Sequence, residues 1–458
     1  MAENNGTLAE SRPPMRGLVA VASWLCCVVV CGLALDSVLR TSAILDGEVT
    51  SYLWDRPWWH ALLFVVVVAG MWAAKNRGQR PSAPAVTPWQ MYAAALLCAA
   101  ILFALGLVFV LTAQVYPAAD QLFTLEAGRA LASGDASPLA APGYLDLYPN
   151  QTGLAVYFAM LHGLFGADDW LAAQIVNAVS LAVVPILLAQ ITFSVFRSRR
   201  TAAVCAVLFT ICTPLFFYTA FVYGTLTGLA LALGAILLLL RFFAEPQIGI
   251  AVACAVCIAL AILLRQNYLI FLVGMALCAA YYLWTRRGDR TGFALRAALL
   301  VVLLAVFLVP FGARQAVADA TGMPASGGVP AAAFTAMGMQ EGYGAPGWWN
   351  DYNKATYIRS GYDTDATRAA AKAEIADRAA AFRENPGDAL RFYYLKSTSM
   401  WNNPTFQSFW ILDNAPDNRL SDTAAGRGLL PGGALRAVLT GAQNLAQTFI
   451  LLCAAWFF

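Results

Sequence analysis

Long apolar runs, bounded by charged or turn-forming residues, constrain this chain more than any other feature of its sequence. Ten of them occur, at 17–39, 60–74, 90–114, 170–195, 201–219, 223–243, 247–264, 267–284, 293–313 and 437–458. A helix needs about 20 apolar residues to cross a bilayer. Only 12% of the 458 residues are charged, whereas a soluble domain carries about 25%. The pattern predicts an all-α, polytopic membrane protein with about ten transmembrane helices, and a net charge of +3 does not indicate nucleic-acid binding.

The apolar stretch at 152–165 is too short to cross a bilayer comfortably, so we interpret it as interfacial or re-entrant. The positive-inside rule then places the N-terminus inside. The basic residues predicted to lie inside are Arg12, Arg16, Lys75, Arg77, Arg80, Arg197, Arg199, Arg200, Arg241, Arg286, Arg287, Arg290 and Arg296. The short outer segments contain Arg40, Arg56, Arg129 and Arg265, together with the acids Asp46, Glu48, Asp55, Asp120, Glu126, Asp146, Asp168 and Asp169.

This orientation divides the chain into three parts. They are a transmembrane module at 1–313 with an outer loop at 115–169, an extracytoplasmic domain at 314–431, and a final transmembrane segment at 432–458. The chain stops inside the last apolar run without a basic cap, as a truncated chain would. In the outer domain, 364–385 is predicted to be a helix, 322–331 a loop, and 411–433 a polar return to the membrane.

All ten cysteines lie in apolar runs, so we expect neither a disulfide framework nor a zinc site. Cys254 and Cys257 form a C-x-x-C pair, but no second pair, histidine or acid lies nearby in the sequence. We interpret these two cysteines as small apolar residues on one helix. The first apolar run lacks a clear cleavage site, which favours a signal anchor over a cleaved signal peptide.

Asp120 is the first residue that suggests chemistry. It follows the third apolar run by about six residues, which places a carboxylate at the outer membrane surface. The next residues, 121–134, have the apolar spacing of a helix that lies along the membrane plane, and a polar segment follows at 144–154. Such a loop is a plausible wall for a site that handles a lipid-borne substrate, although an ordinary interfacial acid beside a surface helix would give the same pattern.

The order of several short motifs resembles a known superfamily. After Asp120 come a helix containing A-x-x-A-L-A-x-G, the segment Y-P-N-Q-x-G-L, an apolar stretch ending in L-F-G, and a run closing on basic residues. Looser motifs follow at 216–225, 263–267, 337–344 and 395–405. From about 110 to 410 this order resembles the GT-C glycosyltransferases. It is most similar to the protein O-mannosyltransferase and aminoarabinose transferase-like enzymes, which use dolichyl- or other polyprenyl-phosphate sugars.

The resemblance implies an activity and a base. It implies an integral membrane glycosyltransferase that moves mannose or a similar sugar from a polyprenyl-phosphate donor to an acceptor hydroxyl at the outer face of a bacterial cell membrane. The acceptor would be a glycan, lipid or protein. Asp120 would be the general base, and a single displacement would invert the anomeric centre. One carboxylate suffices because the phosphate is already a good leaving group, unlike the leaving group of a two-carboxylate glycosidase.

Two basic residues are candidates for the donor phosphate. Arg265 lies between two long apolar runs at the predicted outer face, where its fork of donors suits a phosphate at the headgroup level. A snorkelling interfacial arginine is the alternative. Lys396, in the outer domain, is the second candidate, with a solvated lysine as its alternative.

Substrate contacts are predicted close to the base. Tyr148, Asn150 and Gln151 offer an aromatic face and amides that could hold sugar hydroxyls, although Y-P-N is also a common turn. The tryptophans at 348–349 could stack on a sugar or pack the outer domain. We interpret His162 as a structural residue and His60 as an interfacial one.

One position departs from the resemblance. Similar proteins often carry an acid where this chain has Gly224, so a second acidic role is absent or falls to another residue. We see no outer cluster of acids spaced for a divalent cation. No cofactor is therefore assigned with certainty, and a divalent cation stays an open alternative.

Two other functions stay open. A transporter or flippase for a lipid-linked or small solute predicts inverted repeats, paired broken helices and ionisable residues near the bilayer midplane. The sequence offers none clearly, since Asp36 is the one acid inside an apolar run and lies near its predicted outer end. A membrane assembly or anchoring protein with a partner-binding outer domain is the third interpretation.

Overall fold

The computed structural model describes residues 13–44, 49–77, 85–286, 292–342, 344–415 and 417–457, with only the backbone at 13–16, 18, 67, 71 and 74–77. Helices dominate this part of the chain. The prediction of an all-α fold is confirmed except for one short hairpin. Arg12, Arg80, Arg287, Arg290, Asp46 and Glu48, which entered the sidedness argument, lie outside the described residues, and the sidedness stays a prediction.

The N-terminal part contains two strands that the sequence interpretation missed. Its elements are α1 (Pro13–Leu39), β1 (Arg40–Ile44), β2 (Thr50–Trp54), α2 (Pro57–Arg77) and α3 (Pro88–Ala113). The strands pair antiparallel, with Arg40 opposite Trp54. The sequence did contain a hairpin signal, an Asp-Gly pair at 46–47 between β-forming residues, although these two residues lie outside the described part of the chain.

The hairpin packs against the region at 314–431, which we call the outer domain after its predicted side. Ser42 N donates to the Asn402 carbonyl at 2.9 Å, and Thr50 N donates to the Gly344 carbonyl at 3.0 Å. Asp36, at the end of α1, accepts hydrogen bonds from the Tyr394 hydroxyl at 2.6 Å and the Asn402 amide at 2.5 Å. The acid of the first apolar run is therefore bound to the outer domain.

The outer loop predicted at 115–169 is mostly helical. It contains α4 (Asp120–Ala132), α5 (Tyr144–Leu147) and α6 (Thr152–Phe165), and α7 (Asp169–Phe196) follows. The helix predicted after Asp120 is confirmed as α4. The stretch at 152–165 is a separate helix, α6, because Gly166 adopts φ 59 and ψ −132 between α6 and α7.

The central helices include two sharp bends that the sequence interpretation did not anticipate. The helices are α8 (Arg199–Thr210), α9 (Thr213–Phe217), α10 (Thr225–Ala244), α11 (Ile248–Leu264), α12 (Leu269–Thr285), α13 (Phe293–Val306) and α14 (Val309–Thr321). The run predicted at 201–219 bends by 58° between α8 and the segment beginning at α9, and the run at 293–313 bends by 51° between α13 and α14. Pro214 and Pro310 are each the second residue of the second helix of a pair, where proline disfavours a continuous helix.

The outer domain is built from short helices and one long one. They are α15 (Ala331–Met337), α16 (Tyr352–Arg359), α17 (Thr364–Glu384), α18 (Pro386–Trp401), α19 (Ser408–Asp413) and α20 (Ala424–Leu429). The helix predicted at 364–385 is confirmed as α17, and Asp363 caps it by accepting from the Asp365 and Ala366 amides. The loop predicted at 322–331 is confirmed up to α15. The boundary predicted after residue 313 falls inside α14.

The last helix is α21 (Ala434–Phe457), which packs mainly on α1. Among the described residues, six helical segments are long and apolar enough to cross a membrane. They are Val19–Leu39, Pro88–Ala113, Pro149–Phe196, Thr225–Ala244, Gln266–Thr285 and Ala434–Phe457. The two bent pairs raise the number to eight. Pro57–Gly70 and Ile248–Leu264 are apolar but shorter. This is a multi-pass membrane protein, and the ten spans stay a prediction.

Candidate functional site

Asp120 is the first residue of α4, directly after Ala119 in a left-handed conformation with φ 51. The side chain is exposed. The N-terminus of a helix is favourable for a carboxylate, because unpaired backbone N–H groups and the helix dipole place positive charge there. The buried side of α4, which includes Leu125 and Gly128, packs against α6. The fold therefore fixes the backbone of Asp120 while leaving its carboxylate accessible.

Tyr223 links Asp120 to Gln151, a residue predicted to contact substrate. The Gln151 Nε2 donates to the Tyr223 hydroxyl oxygen at 2.5 Å, and this hydroxyl donates to Asp120 Oδ2 at 3.4 Å. Burial raises the pKa of Tyr223, and the negative charge of Asp120 raises it further. The phenol therefore stays protonated near neutral pH and can act as a donor to the carboxylate.

Arg265 lies over the ring of the same tyrosine. Its Cζ is 4.9 Å from the centroid of the Tyr223 ring. Its Nη1 donates to the Thr225 hydroxyl at 2.9 Å and to the Tyr223 carbonyl at 3.3 Å. These two hydrogen bonds hold the guanidinium beside Tyr223. Among the described residues no ion pair joins Arg265 to Asp120, so each charge remains available to another group.

Gly224 is required by the backbone that carries Tyr223. It adopts φ +71, and a Cβ placed there would lie 2.3 Å from the Leu264 carbonyl oxygen. Any side chain would be strained and would clash with the residue before Arg265. The absence of an acid at position 224 therefore has a steric cause. The close approach of Gly224 to Leu264 also brings together the segments that carry Tyr223 and Arg265.

A series of aromatic contacts runs from the neighbourhood of Asp120 to the outer domain. Ring centroids of Tyr144 and Tyr148 are 5.2 Å apart, and those of Tyr148 and Phe334 are 6.5 Å apart. Burial, followed by the charges of Asp120 and Asp351, raises the pKa of Tyr148 to about 12. Tyr148 therefore lies within electrostatic range of the candidate base.

The outer domain holds the polar loop in place. The Val329 amide donates to the Leu147 carbonyl at 3.0 Å. Leu147 is buried in one apolar cluster with Ala333 and Tyr357 of α15 and α16. Asn150, by contrast, is exposed at the surface of this loop. The loop that carries Tyr148, Asn150 and Gln151 is thus packed against the outer domain.

Lys396 has different neighbours. Its Nζ donates to the Gly338 carbonyl at 2.5 Å, and burial lowers the pKa of its amine. Among the described residues, its hydrogen bonds do not reach Asp120 or Arg265. On α18, the Ser399 hydroxyl accepts from Trp348 Nε1 at 2.8 Å. Lys396 and Trp348 therefore connect the segments of the outer domain.

Asp169 forms a separate charged cluster behind α4. Arg129 binds its carboxylate with two donors, Nε at 2.8 Å and Nη2 at 2.6 Å, and His162 Nδ1 lies 3.0 Å from Oδ2. Asp169 is fully buried. The prediction that His162 is structural agrees with this position. The other histidine, His60, is buried with its Nε2 3.5 Å from Asp55 Oδ2.

The described residues contain no group of three or more His, Cys, Asp or Glu side chains that could hold a metal ion. All ten cysteines are free thiols. The structure thus brings Asp120, Gln151 and Arg265 together around Tyr223, with Tyr148 nearby. Sequence reasoning did not single out Tyr223, although it lies in the F-F-Y-T-A-F-V-Y-G-T segment at 216–225 that entered the resemblance.

No family model matches this chain, and neither a curated protein nor a solved structure matches it.

Proposed function

We propose that this protein is an integral membrane glycosyltransferase that moves a monosaccharide from a polyprenyl-phosphate donor to an acceptor hydroxyl at the outer face of a bacterial cell membrane. The arrangement around Tyr223 is the observation that supports it. A carboxylate (Asp120) contacts the hydroxyl of this tyrosine and a guanidinium (Arg265) lies over its ring. Both belong to a multi-pass membrane protein, where a lipid-borne substrate can reach them.

The two charges suit the two halves of the reaction. Asp120 would take the proton of the acceptor hydroxyl as its oxygen bonds to the anomeric carbon. The bond between that carbon and the phosphate oxygen breaks, and the electron pair leaves with the polyprenyl phosphate. Arg265 would balance the charge of the departing phosphate. Tyr223, which is hydrogen-bonded to Gln151, would hold the Asp120 carboxylate in position.

The experiment that tests this function follows the leaving group. Purified full-length protein is given labelled polyprenyl-phosphate mannose and a crude membrane and cell-wall fraction as acceptor, and release of polyprenyl phosphate is measured. Glucose, galactose and arabinose donors are run in parallel. We expect Asp120→Asn to lower turnover by about 10²–10⁴-fold, which is the usual contribution of a general base.

Glu126→Gln is the matched control. Glu126 is an exposed acid on the same helix, α4, and the same isosteric change removes its charge. It should leave turnover unchanged. Equal turnover of Asp120→Asn and wild type would exclude Asp120 as the base, and no turnover by folded wild type with any of the four donors would argue against a transferase.

One observation favours the alternative, a transporter or flippase. The bends of 58° and 51° are broken helices of the kind that line transport pathways. They occur in the fifth and ninth of the ten predicted runs, which are not equivalent positions in two repeats of five. Reconstituted vesicles distinguish the two functions, because a flippase would move a fluorescent polyprenyl-phosphate analogue across the bilayer without releasing phosphate.

A further inference from the structure

A cavity lies beside the bend between α13 and α14, where it is bordered by the outer domain. Its volume is about 650 Å³. The residues around it come from the bend between these two helices, from the loop before α15, and from the start of α17. They are Leu308, Phe311, Gly312, Arg314, Gln315, Ala325, Ser326, Gly327, Thr364 and Arg368.

The cavity is apolar at one end and cationic at the other. Leu308 and Phe311, around the start of α14, are 67% and 61% exposed, as expected for apolar side chains of a candidate membrane span that face lipid. Arg314 follows one turn later on the same helix, and Arg368 approaches from α17. Along one helix the surface thus changes from apolar to positively charged.

Both arginines can bind an incoming anion. Arg314 lies with its Cζ 4.7 Å from the centroid of the Phe311 ring and makes no ion pair to any other described residue. Arg368 pairs with Asp365, whose side chain is 85% exposed. An exposed pair of this kind contributes little and exchanges easily. The nearby acid Asp319 accepts from the Gln315 amide at 2.7 Å.

This cavity is distinct from the Asp120 site but shares a wall with it. The Ser326 hydroxyl lies 3.4 Å from the Asp146 carbonyl oxygen, and Gly328 approaches Pro149 so closely that a Cβ would lie 2.3 Å from the proline ring. Asp146 and Pro149 belong to the loop that carries Gln151. A ligand in this cavity would therefore contact residues that pack against the loop carrying Gln151. The opposite side of that loop forms part of the Asp120 site.

We propose that this cavity binds the phosphate headgroup of an anionic lipid. Arg314 and Arg368 contact the phosphate, and the acyl or prenyl chain lies along Leu308 and Phe311. Arginine is suited to this role because its planar fork matches phosphate oxygens. Its stem also packs against apolar surface at the edge of a bilayer. The site does not depend on the transferase activity proposed above.

Lipid binding to the purified full-length protein tests the proposal. Dioleoylphosphatidylglycerol and dioleoylphosphatidylcholine are titrated separately, and bound lipid is counted by native mass spectrometry. We expect wild type to bind the anionic lipid at least tenfold more tightly. Arg314→Gln and Arg368→Gln should each reduce this preference, and the double variant should remove it. Arg391→Gln, at an exposed arginine elsewhere in the outer domain, is the matched control and should keep it.

A second arm separates a lipid from free phosphate. Phe311→Ser should weaken binding of the anionic lipid and leave competition by inorganic phosphate unchanged. If inorganic phosphate binds as tightly as the lipid and Phe311→Ser has no effect, the site takes a soluble phosphate and the lipid proposal is wrong. An unchanged preference in the double variant would also overturn it. Arg368→Gln changes an exposed side chain, so it tests the proposal even if Arg314→Gln fails to fold.

Discussion

Tyr223 connects the residues of the candidate site. It receives a hydrogen bond from Gln151, donates one to Asp120, and lies under the guanidinium of Arg265. Sequence reasoning identified these three partners as separate candidates. It missed the residue between them because a tyrosine in an aromatic-rich segment carries no distinguishing pattern.

Removing only the hydroxyl of Tyr223 should lower activity without disturbing the fold. Tyr223→Phe keeps the ring under Arg265 but loses both hydrogen bonds, each worth about 1 kcal/mol. We expect turnover to fall by about tenfold, because the Asp120 carboxylate loses the hydroxyl that holds it in position. Tyr157→Phe, on α6, is the control, because its hydroxyl makes no hydrogen bond to another described residue. Equal turnover of Tyr223→Phe and Tyr157→Phe would show that the Tyr223 hydroxyl does not position Asp120.

Gly224 should tolerate no side chain. Gly224→Ala places a methyl group against the Leu264 carbonyl and forces a left-handed backbone on alanine. The backbone conformation alone costs about 1–3 kcal/mol. We expect a lower melting temperature in detergent and weaker activity, because Tyr223 and Arg265 shift apart. Gly234→Ala on α10 is the control, since an added methyl group there would have no atom within 4 Å. Equal melting temperatures would contradict the steric argument.

At the scale of elements, α4 is fixed by a charge cluster at its C-terminal end and carries Asp120 at its N-terminal end. Arg129, in the last turn of α4, binds the buried Asp169 at the start of α7. The Trp170 amide also donates to this carboxylate at 2.7 Å. The sequence marked both residues only as outer charges. Their pairing joins residues 40 positions apart in the sequence, so it depends on how α4, α6 and α7 pack together.

Breaking this pair should destabilise the protein strongly. Arg129→Gln leaves the carboxylate of Asp169 buried with only partial compensation, at a cost of about 3–5 kcal/mol. The melting temperature should fall, and Asp169→Asn combined with Arg129→Gln should cost less than the sum of the two single changes. Arg391→Gln serves as the surface control. Additive costs would show that the two side chains stabilise the fold independently.

At the scale of the whole molecule, the outer loop and the outer domain pack as one unit. The loop that carries Gln151 is buried against α15 and α16, and the hairpin and Asp36 tie the N-terminal helix to α18. The division into a transmembrane module and a separate outer domain, made along the sequence, is therefore crossed by many contacts. Both proposed sites lie where the outer loop and the outer domain pack together.

Cysteine labelling tests the predicted sidedness. Gly387 and Gly249 are exposed, each is the second residue of its helix, and neither has an atom within 4 Å of an added methyl group. In intact cells, a membrane-impermeant maleimide should label Gly387→Cys and not Gly249→Cys, against a wild-type background. Labelling should become equal in opened membranes. The reverse pattern would place Asp120 on the inner side and exclude an outward-facing site.

The sequence by itself determined the class of the protein, because apolar runs of membrane length have no stable alternative to helices in a bilayer. It also placed α17 and the helix after Asp120, since local composition and apolar spacing suffice for helices of this kind. Local patterns could not reveal the bends at Pro214 and Pro310 as breaks of more than 50°, because neighbouring helices determine how far a proline bends a helix.

Only the tertiary structure decided which residues share a site. Asp120, Gln151, Tyr223 and Arg265 are separated by tens of residues and meet because Gly224 lets two backbone segments touch. The cavity that Arg314 and Arg368 line is likewise formed by residues that are distant in the sequence. Contacts of this kind depend on how helices pack, and packing depends on the shapes of many side chains together, which no single segment of the sequence records.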